Sequence, residues 1–160
     1  MFKFKVNSTL NLVLTFSLIA IISAYFIEYV LGYQPCNLCL IERIPYVLST
    51  ILVVFNNIFK KEEKFIILLL ILIFVFSFLI SVYHFGIEQG FFEEPSVCGL
   101  KNGANIISKE ELLNLLSQKT ISCKDVTFMI LGLSLTTINI VISILFIITL
   151  TKIFTKYEKN

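Results

Sequence analysis

The segment from Phe65 to Phe85 reads FIILLLILIFVFSFLISVYHF and contains no Lys, Arg, Asp or Glu. As an α-helix its 21 residues would extend about 31 Å, which matches the ~30 Å hydrocarbon core of a bilayer. Three further segments are similarly apolar. Barrel strands need only ~9–11 residues and would alternate in polarity, so the lengths favour helices. The sequence predicts an all-α integral membrane four-helix bundle, a single four-span domain over 1–160, with spans at approximately 9–29, 40–59, 65–85 and 128–150.

Composition excludes the other common classes of protein. Hydrophobic residues make up 57% of the 160 residues and charged residues 15%, and the mean hydropathy is +0.90. A water-soluble domain of this size has too high a ratio of surface to volume to hide so much apolar surface, and a disordered chain would be far more polar. The net charge of +2 is too small to indicate a nucleic-acid partner.

The distribution of basic residues predicts the orientation. Eight of the thirteen lie before the first span, between the second and third, or after the fourth: Lys3, Lys5, Lys60, Lys61, Lys64, Lys152, Lys156 and Lys159. The positive-inside rule makes this side cytoplasmic. Both termini are therefore expected in the cytoplasm, with outer loops at 30–39 and 86–127. The first apolar run is longer than the core of a signal peptide, so an uncleaved anchor is expected there.

The long outer loop carries a helix signal of its own. The run Ser108-Lys109-Glu110-Glu111 has the pattern of a capping box and is followed by a leucine-rich stretch up to Leu116. These features predict a short amphipathic helix in this loop. It would lie on the membrane surface or, alternatively, dock against a partner.

All four cysteines fall in the two predicted outer loops: Cys36, Cys39, Cys98 and Cys123. In a bacterial periplasm these loops would meet oxidising conditions, so two disulfides are the simplest interpretation. Cys36 and Cys39 can pair locally, and Cys98 and Cys123 can close the long loop. Two purely structural disulfides are one alternative. A four-cysteine zinc site is another, although the second pair lacks CxxC spacing.

The surroundings of Cys39 favour chemistry. The second helix is expected to begin near Asn37, so Cys39 would lie in its first turn, where free N–H groups stabilise a thiolate. Arg43 follows one turn later on the same helical face. The alternative for Arg43 is an anchor at the lipid headgroups, with its charge neutralised by neighbouring Glu42.

Two other polar residues lie near the outer ends of spans. His84 is the single histidine, and Glu88 follows at i+4, where it could hold one ring nitrogen. A structural role and a place in a quinone pocket are both open for His84. Glu28 can reach water from the end of the first span and is interpreted as structural.

Reactive cysteines in a chain without a soluble domain need an electron acceptor in the membrane. The sequence contains no CxxCH haem site, no GxGxxG and no P-loop. A lipid quinone is the natural acceptor.

These residues carry a resemblance to a known family. The run Pro35-Cys36-Asn37-Leu38-Cys39-Leu40-Ile41-Glu42-Arg43 resembles the PCxxCxxER signature of the disulfide bond formation protein B (DsbB) family. The similarity extends to the four spans, to Tyr83-His84 at the end of the third, to the cysteine pair in the second outer loop, and to Leu131-Gly132-Leu133 before the fourth. In this chain the CxxC pair precedes the loop pair, whereas in the related vitamin K epoxide reductases it follows the loop pair.

The resemblance implies a protein-disulfide:quinone oxidoreductase of the bacterial inner membrane. Such an enzyme reoxidises a DsbA-like periplasmic thiol oxidase and reduces ubiquinone or menaquinone, without a metal. It also implies roles for individual residues. Cys98 would form the mixed disulfide with the partner, and Cys123 would be its loop partner. Cys36 and Cys39 would be the membrane-proximal pair, with Cys39 against the quinone and Arg43 polarising a quinone oxygen.

Two other functions remain open on the sequence. The first is a non-enzymatic membrane scaffold with two structural disulfides. The second is a quinone-linked enzyme that reduces disulfides, because the direction of electron flow depends on the potentials of both couples. Mild thiols should exchange with catalytic disulfides and leave structural ones intact.

Overall fold

The described part of the chain forms four apolar helical spans. The computed structural model describes residues 2–59, 63–93, 122–124, 129–130 and 132–158. The helices in these ranges are α1 (Phe2–Tyr29), α2 (Asn37–Ile41), α3 (Ile44–Phe59), α4 (Glu63–Glu88) and α5 (Leu135–Glu158). Cys98 and the predicted amphipathic helix at 108–116 lie outside the described residues.

The helices are long enough to cross a membrane. Treating α2 and α3 as one span, the four candidate spans are Val6–Tyr29, Asn37–Phe59, Glu63–Glu88 and Leu135–Tyr157, each of at least 23 residues. At ~1.5 Å per residue the shortest extends about 34 Å. The predicted all-α membrane four-helix bundle is therefore confirmed, while the cytoplasmic position of its termini stays a prediction.

Proline divides the second span. Pro45 has no N–H to donate to the carbonyl of Ile41, and its ring would clash with that carbonyl in a continuous helix. α2 accordingly ends at Ile41 and α3 begins at Ile44, with Glu42 and Arg43 in the turn between them. This break places the two charged residues of the PCxxCxxER-like run between two helix ends.

The fourth span begins later than its apolar run. Helix α5 starts at Leu135 rather than near Phe128, because Met129–Ile130 (β1) pairs antiparallel with Leu133–Ser134 (β2). Gly132 lies between these strands with φ of 80°, a left-handed conformation that favours glycine. The Ser134 hydroxyl then accepts a hydrogen bond from the Thr137 N–H at 3.2 Å and caps α5.

The core of the bundle is apolar at the end that carries the termini. Phe74 of α4 and Phe146 of α5 have ring centroids 4.7 Å apart, and Phe16 of α1 meets Phe146 edge-on at 5.4 Å. Helix α4 packs closely with α5, and α3 packs with both α1 and α4, whereas α1 and α5 make little contact with each other. The bundle is thus least closed along the seam between α1 and α5.

The membrane orientation predicted from the basic residues can be tested with two single-cysteine variants of a chain whose native cysteines are replaced by serine. Phe91, after the outer end of α4, is 78% exposed, and Asn57, near the inner end of α3, is also exposed. In cells with an opened outer membrane, an impermeant maleimide should label Phe91→Cys and leave Asn57→Cys unlabelled until the inner membrane is permeabilised. The opposite pattern would reverse the predicted orientation.

Candidate functional site

Cys36 and Cys39 occupy the N-terminus of α2. Cys36 is the N-cap residue in an extended conformation, and its Sγ accepts a hydrogen bond from the Cys39 N–H at 3.3 Å. The two Sγ atoms lie 2.9 Å apart, and both residues carry free thiols. The hydrogen bond from the Cys39 thiol, and after it the one from His84, lower the pKa of the Cys36 thiol, although burial opposes them.

His84 lies directly behind this thiol pair. Its Nε2 is 3.5 Å from the Cys36 Sγ, and its Nδ1 is 3.0 Å from Oε1 of Glu42. The ring is only 2% exposed. Glu88, the expected partner at i+4, is 3.9 Å away and instead accepts a hydrogen bond from the Thr136 hydroxyl at 2.6 Å. The carboxylate that holds His84 is therefore Glu42.

Glu42 belongs to a buried polar network that joins three helices. Its Oε2 accepts a hydrogen bond from Nδ2 of Asn139 at 3.2 Å, and the same amide nitrogen donates to the Ser81 hydroxyl at 2.8 Å. The Asn139 carbonyl oxygen accepts a hydrogen bond from the Tyr46 hydroxyl. Both polar ends of the Asn139 amide thus have partners, which fixes its orientation.

Arg43 points away from Glu42 and toward α1. Its guanidinium contacts Glu28 with an N–O distance of 2.5 Å and lies 5.3 Å from the centre of the Tyr25 ring. The predicted alternative, in which Glu42 neutralises Arg43, is not the arrangement found. Glu28, interpreted from the sequence only as structural, is the counterion of Arg43.

An apolar cavity of about 300 Å³ adjoins Cys39. It lies between α1 and α5, with the α2–α3 turn behind it. Its polar lining includes Cys39, Glu42, Arg43, Tyr46 and Asn139, whereas Cys36 and His84 do not line it. Two apolar lining residues, Ile19 (55% exposed) and Leu135 (38% exposed), flank the seam, so the cavity lies open toward the surrounding lipid.

Cys123 packs close to the CxxC pair. This residue is disulfide-bonded and 2% exposed, and it packs in one small buried cluster with Cys36, Leu38 and Ile87. Cys98 lies outside the described residues. Cys36 therefore has Cys123 in its own buried cluster, while Cys39 reaches the cavity.

The sulfur atoms of Cys36 and Cys39 and a ring nitrogen of His84 all lie within 4.8 Å of one another. Cys123 is held in a disulfide, and a disulfide sulfur is not a thiolate ligand, so this arrangement does not favour the alternative of a zinc site built from all four cysteines.

The fold and the site together define a class: a multi-pass membrane protein with a buried CxxC pair between a second cysteine and a lipid-facing cavity. Residues 7–153 match the model of the family "Disulfide bond formation protein DsbB", and the chain belongs to that family. It is also 32% identical over 146 residues to "Uncharacterized protein RP370" of Rickettsia prowazekii (strain Madrid E), covering 88% of this chain and 84% of that protein. Membership of the family implies an oxidoreductase in disulfide-bond formation.

Sequence reasoning missed the contacts made by Glu42, Glu28, Tyr46 and Asn139. A signal existed, since polar residues in an apolar span are costly unless they are paired. Their partners could not be named because each lies on another helix, far away along the chain.

The Asn139 hydrogen bonds should contribute measurably to stability. Asn139→Leu would leave Glu42, Ser81 and Tyr46 each short of a partner, and an unsatisfied buried polar group costs ~1–3 kcal/mol. In detergent the thermal midpoint should fall by roughly 5–10 °C at ~2–4 °C per kcal/mol. Asn57→Leu, at an exposed position, is the matched control and should shift it little. Equal shifts in the two variants would show that the network contributes no special stability.

Proposed function

We propose that this chain is a quinone-dependent thiol oxidase of the bacterial inner membrane, which reoxidises a DsbA-like periplasmic partner. One observation carries the proposal. The Cys36–Cys39 pair lies between a second cysteine, Cys123, and an apolar cavity that faces lipid. A thiol pair with a disulfide on one side and a membrane-facing cavity on the other can accept electrons from the first and release them into the second.

Electrons enter through the outer pair in this proposal. The partner dithiol reduces the Cys98–Cys123 disulfide by way of a mixed disulfide with Cys98, and the partner becomes oxidised. The Cys123 thiolate then attacks the Cys36–Cys39 disulfide at Cys36, and Cys39 leaves as a thiolate. Closure of the outer disulfide by Cys98 displaces Cys36 as a thiol.

The cavity fits a quinone headgroup. Small-molecule pockets are typically apolar with a few convergent polar groups, and here Arg43 beside Cys39 is such a group. A bound quinone would supply an acceptor for two electrons and two protons, becoming a quinol as Cys36 and Cys39 form a disulfide. Arg43 would hold a quinone oxygen by a charge-assisted hydrogen bond.

His84 belongs to the thiol side of the site in this proposal. The sequence leaves a structural role and a place in the quinone pocket both open for it, and its contacts are with the Cys36 sulfur and Glu42. We therefore assign it to the thiol side of the site.

The direct test is anaerobic mixing of the purified protein with a reduced DsbA-like oxidase and a soluble quinone analogue. Quinol should form in a one-to-one ratio with oxidised partner. A non-enzymatic scaffold would form no quinol, and its disulfides would resist mild thiols. A disulfide reductase would instead consume quinol and reduce the partner.

Arg43→Ala should weaken quinone use without disturbing the thiol exchange. Loss of a charge-assisted hydrogen bond, ~1.5–3 kcal/mol, should raise the apparent KM for the quinone analogue roughly 10-fold or more. Stopped-flow measurement of partner oxidation in the absence of quinone should give an unchanged exchange rate. Lys152→Ala, at the opposite end of the bundle, is the control. Slow exchange with a normal KM would assign Arg43 to the partner step.

The entry point can be trapped. A thioredoxin-like partner lacking its buried second cysteine cannot resolve a mixed disulfide, so it should remain joined to Cys98. The adduct should disappear in Cys98→Ser, whereas Cys39→Ser should retain it and abolish quinone reduction. Mass spectrometry of the cross-linked peptide identifies the bond. A bond to Cys36 or Cys39, with Cys98 dispensable, would contradict this order of transfer.

A further inference from the structure

The two thiols of the inner pair differ in their access to the cavity. Cys39 lines it, so the proton of its thiol can leave directly. Cys36 does not line it and is only 7% exposed. Oxidation of the pair to a disulfide removes a proton from each thiol, so the proton of Cys36 needs a separate route.

A line of hydrogen-bonding atoms provides such a route. The Cys36 Sγ is 3.5 Å from Nε2 of His84, and Nδ1 on the other side of the ring is 3.0 Å from Oε1 of Glu42. Glu42 in turn lines the cavity. The order thiol, imidazole, carboxylate is the arrangement in which an imidazole takes a proton from a nucleophile while a carboxylate fixes the opposite N–H.

We propose that His84 and Glu42 relay the proton of Cys36 to the cavity. This inference rests on the proposed function. The S–H bond of Cys36 breaks and Nε2 of His84 gains the proton, while the proton on Nδ1 passes to Oε1 of Glu42 at the cavity wall. When the disulfide forms, Cys36 and Cys39 lose two electrons and two protons, and a quinone in the cavity is the oxidant that receives them. His84 touches the reacting sulfur, and Glu42 acts through His84 as a positioning and proton-holding residue.

The surrounding contacts fix the relay in place. Asn139 donates a hydrogen bond to Oε2 of Glu42, which leaves Oε1 directed at the imidazole. The Thr136 hydroxyl lies 3.3 Å from Nδ1 of His84, so the ring is held from two helices. Such supporting hydrogen bonds are what keep a proton-transfer geometry within reach.

Glu88 provides a matched control on the same imidazole. Its carboxylate is 3.9 Å from Nε2, buried like that of Glu42, but it does not line the cavity. If the effect came only from removing a buried negative charge near His84, Glu42→Gln and Glu88→Gln would behave alike. The relay requires the Glu42 carboxylate and does not require that of Glu88.

The first measurement needs no quinone. With the inner pair reduced, the rate of Cys36 alkylation by iodoacetamide is followed against pH by mass spectrometry of the Cys36 peptide. The titratable groups around Cys36 in the described residues are Cys39 and His84, with Glu42 at Nδ1 of the imidazole and Glu88 nearer Nε2. His84→Gln should shift the thiolate transition upward by roughly 1–2 pH units, because a charge-assisted hydrogen bond to the thiolate is lost. Glu42→Gln should shift it in the same direction, and Glu88→Gln by less than half as much.

The second measurement is single-turnover reduction of the soluble quinone analogue by the reduced inner pair. Glu42→Gln should slow this step 10-fold or more with little change in KM, since general acid–base groups contribute ~10²–10⁴-fold. Glu42→Asp should restore part of the rate. Glu88→Gln should leave the rate within 2-fold of the wild-type value. Attack of the partner on the outer disulfide, a step that does not involve Cys36, should be normal in all three. An unshifted alkylation profile with a normal rate in Glu42→Gln, or equal effects of Glu42→Gln and Glu88→Gln, would overturn the relay. Failure of the wild-type chain to reduce quinone would overturn the proposed function, while the alkylation profiles would still report on the three residues.

Discussion

The outer half of the bundle depends on the hydrogen bonds of the buried Glu42 carboxylate. A carboxylate removed from water is stable only when both oxygens are paired, and the penalty for leaving it alone amounts to several kcal/mol. Its Oε1 is held by His84 of α4 and its Oε2 by Asn139 of α5. Helices α4 and α5 and the α2–α3 turn therefore meet at one side chain, and the same contacts place the imidazole behind Cys36. Stability and site geometry are inseparable here, because loss of one partner leaves the carboxylate uncompensated.

The arrangement of helices creates the cavity at a place that lipid-soluble molecules can reach. Apolar contacts such as Phe74 on Phe146 close the inner half, whereas α1 and α5 remain apart in the outer half. The ion pair between Arg43 and Glu28 links the α2–α3 turn to α1 beside this opening. Because Glu28 holds the guanidinium at the cavity edge, Arg43 does not need Glu42 as a counterion, and Glu42 is left to serve His84.

The sequence predicted what depends on local pattern and missed what depends on distant partners. Length and hydropathy alone indicate the spans, since a membrane leaves the backbone few alternatives to a helix. The late start of α5 escaped the hydropathy pattern because the residues around Gly132 are as apolar as those of the helix. His84 and Glu88 satisfied the i+4 rule, yet Glu42, 42 positions away, makes the shorter contact with the ring. Helical spacing reveals neighbours on one helix, but it carries no information on which face of another helix lies opposite.

The two inner thiols have different surroundings because of the geometry of a helix N-terminus. Cys36 is the N-cap and Cys39 is the third residue of α2, the two positions that a capping interaction joins. The hydrogen bond from the Cys39 N–H to the Cys36 Sγ satisfies a backbone donor that the helix leaves free, and it brings the two sulfurs together. The N-cap residue shares a buried cluster with Cys123, and the residue three positions later lines the cavity. A CxxC spacing at this point therefore joins the two sides of the site within a single helical turn, because the capping hydrogen bond draws the third helical residue to the N-cap.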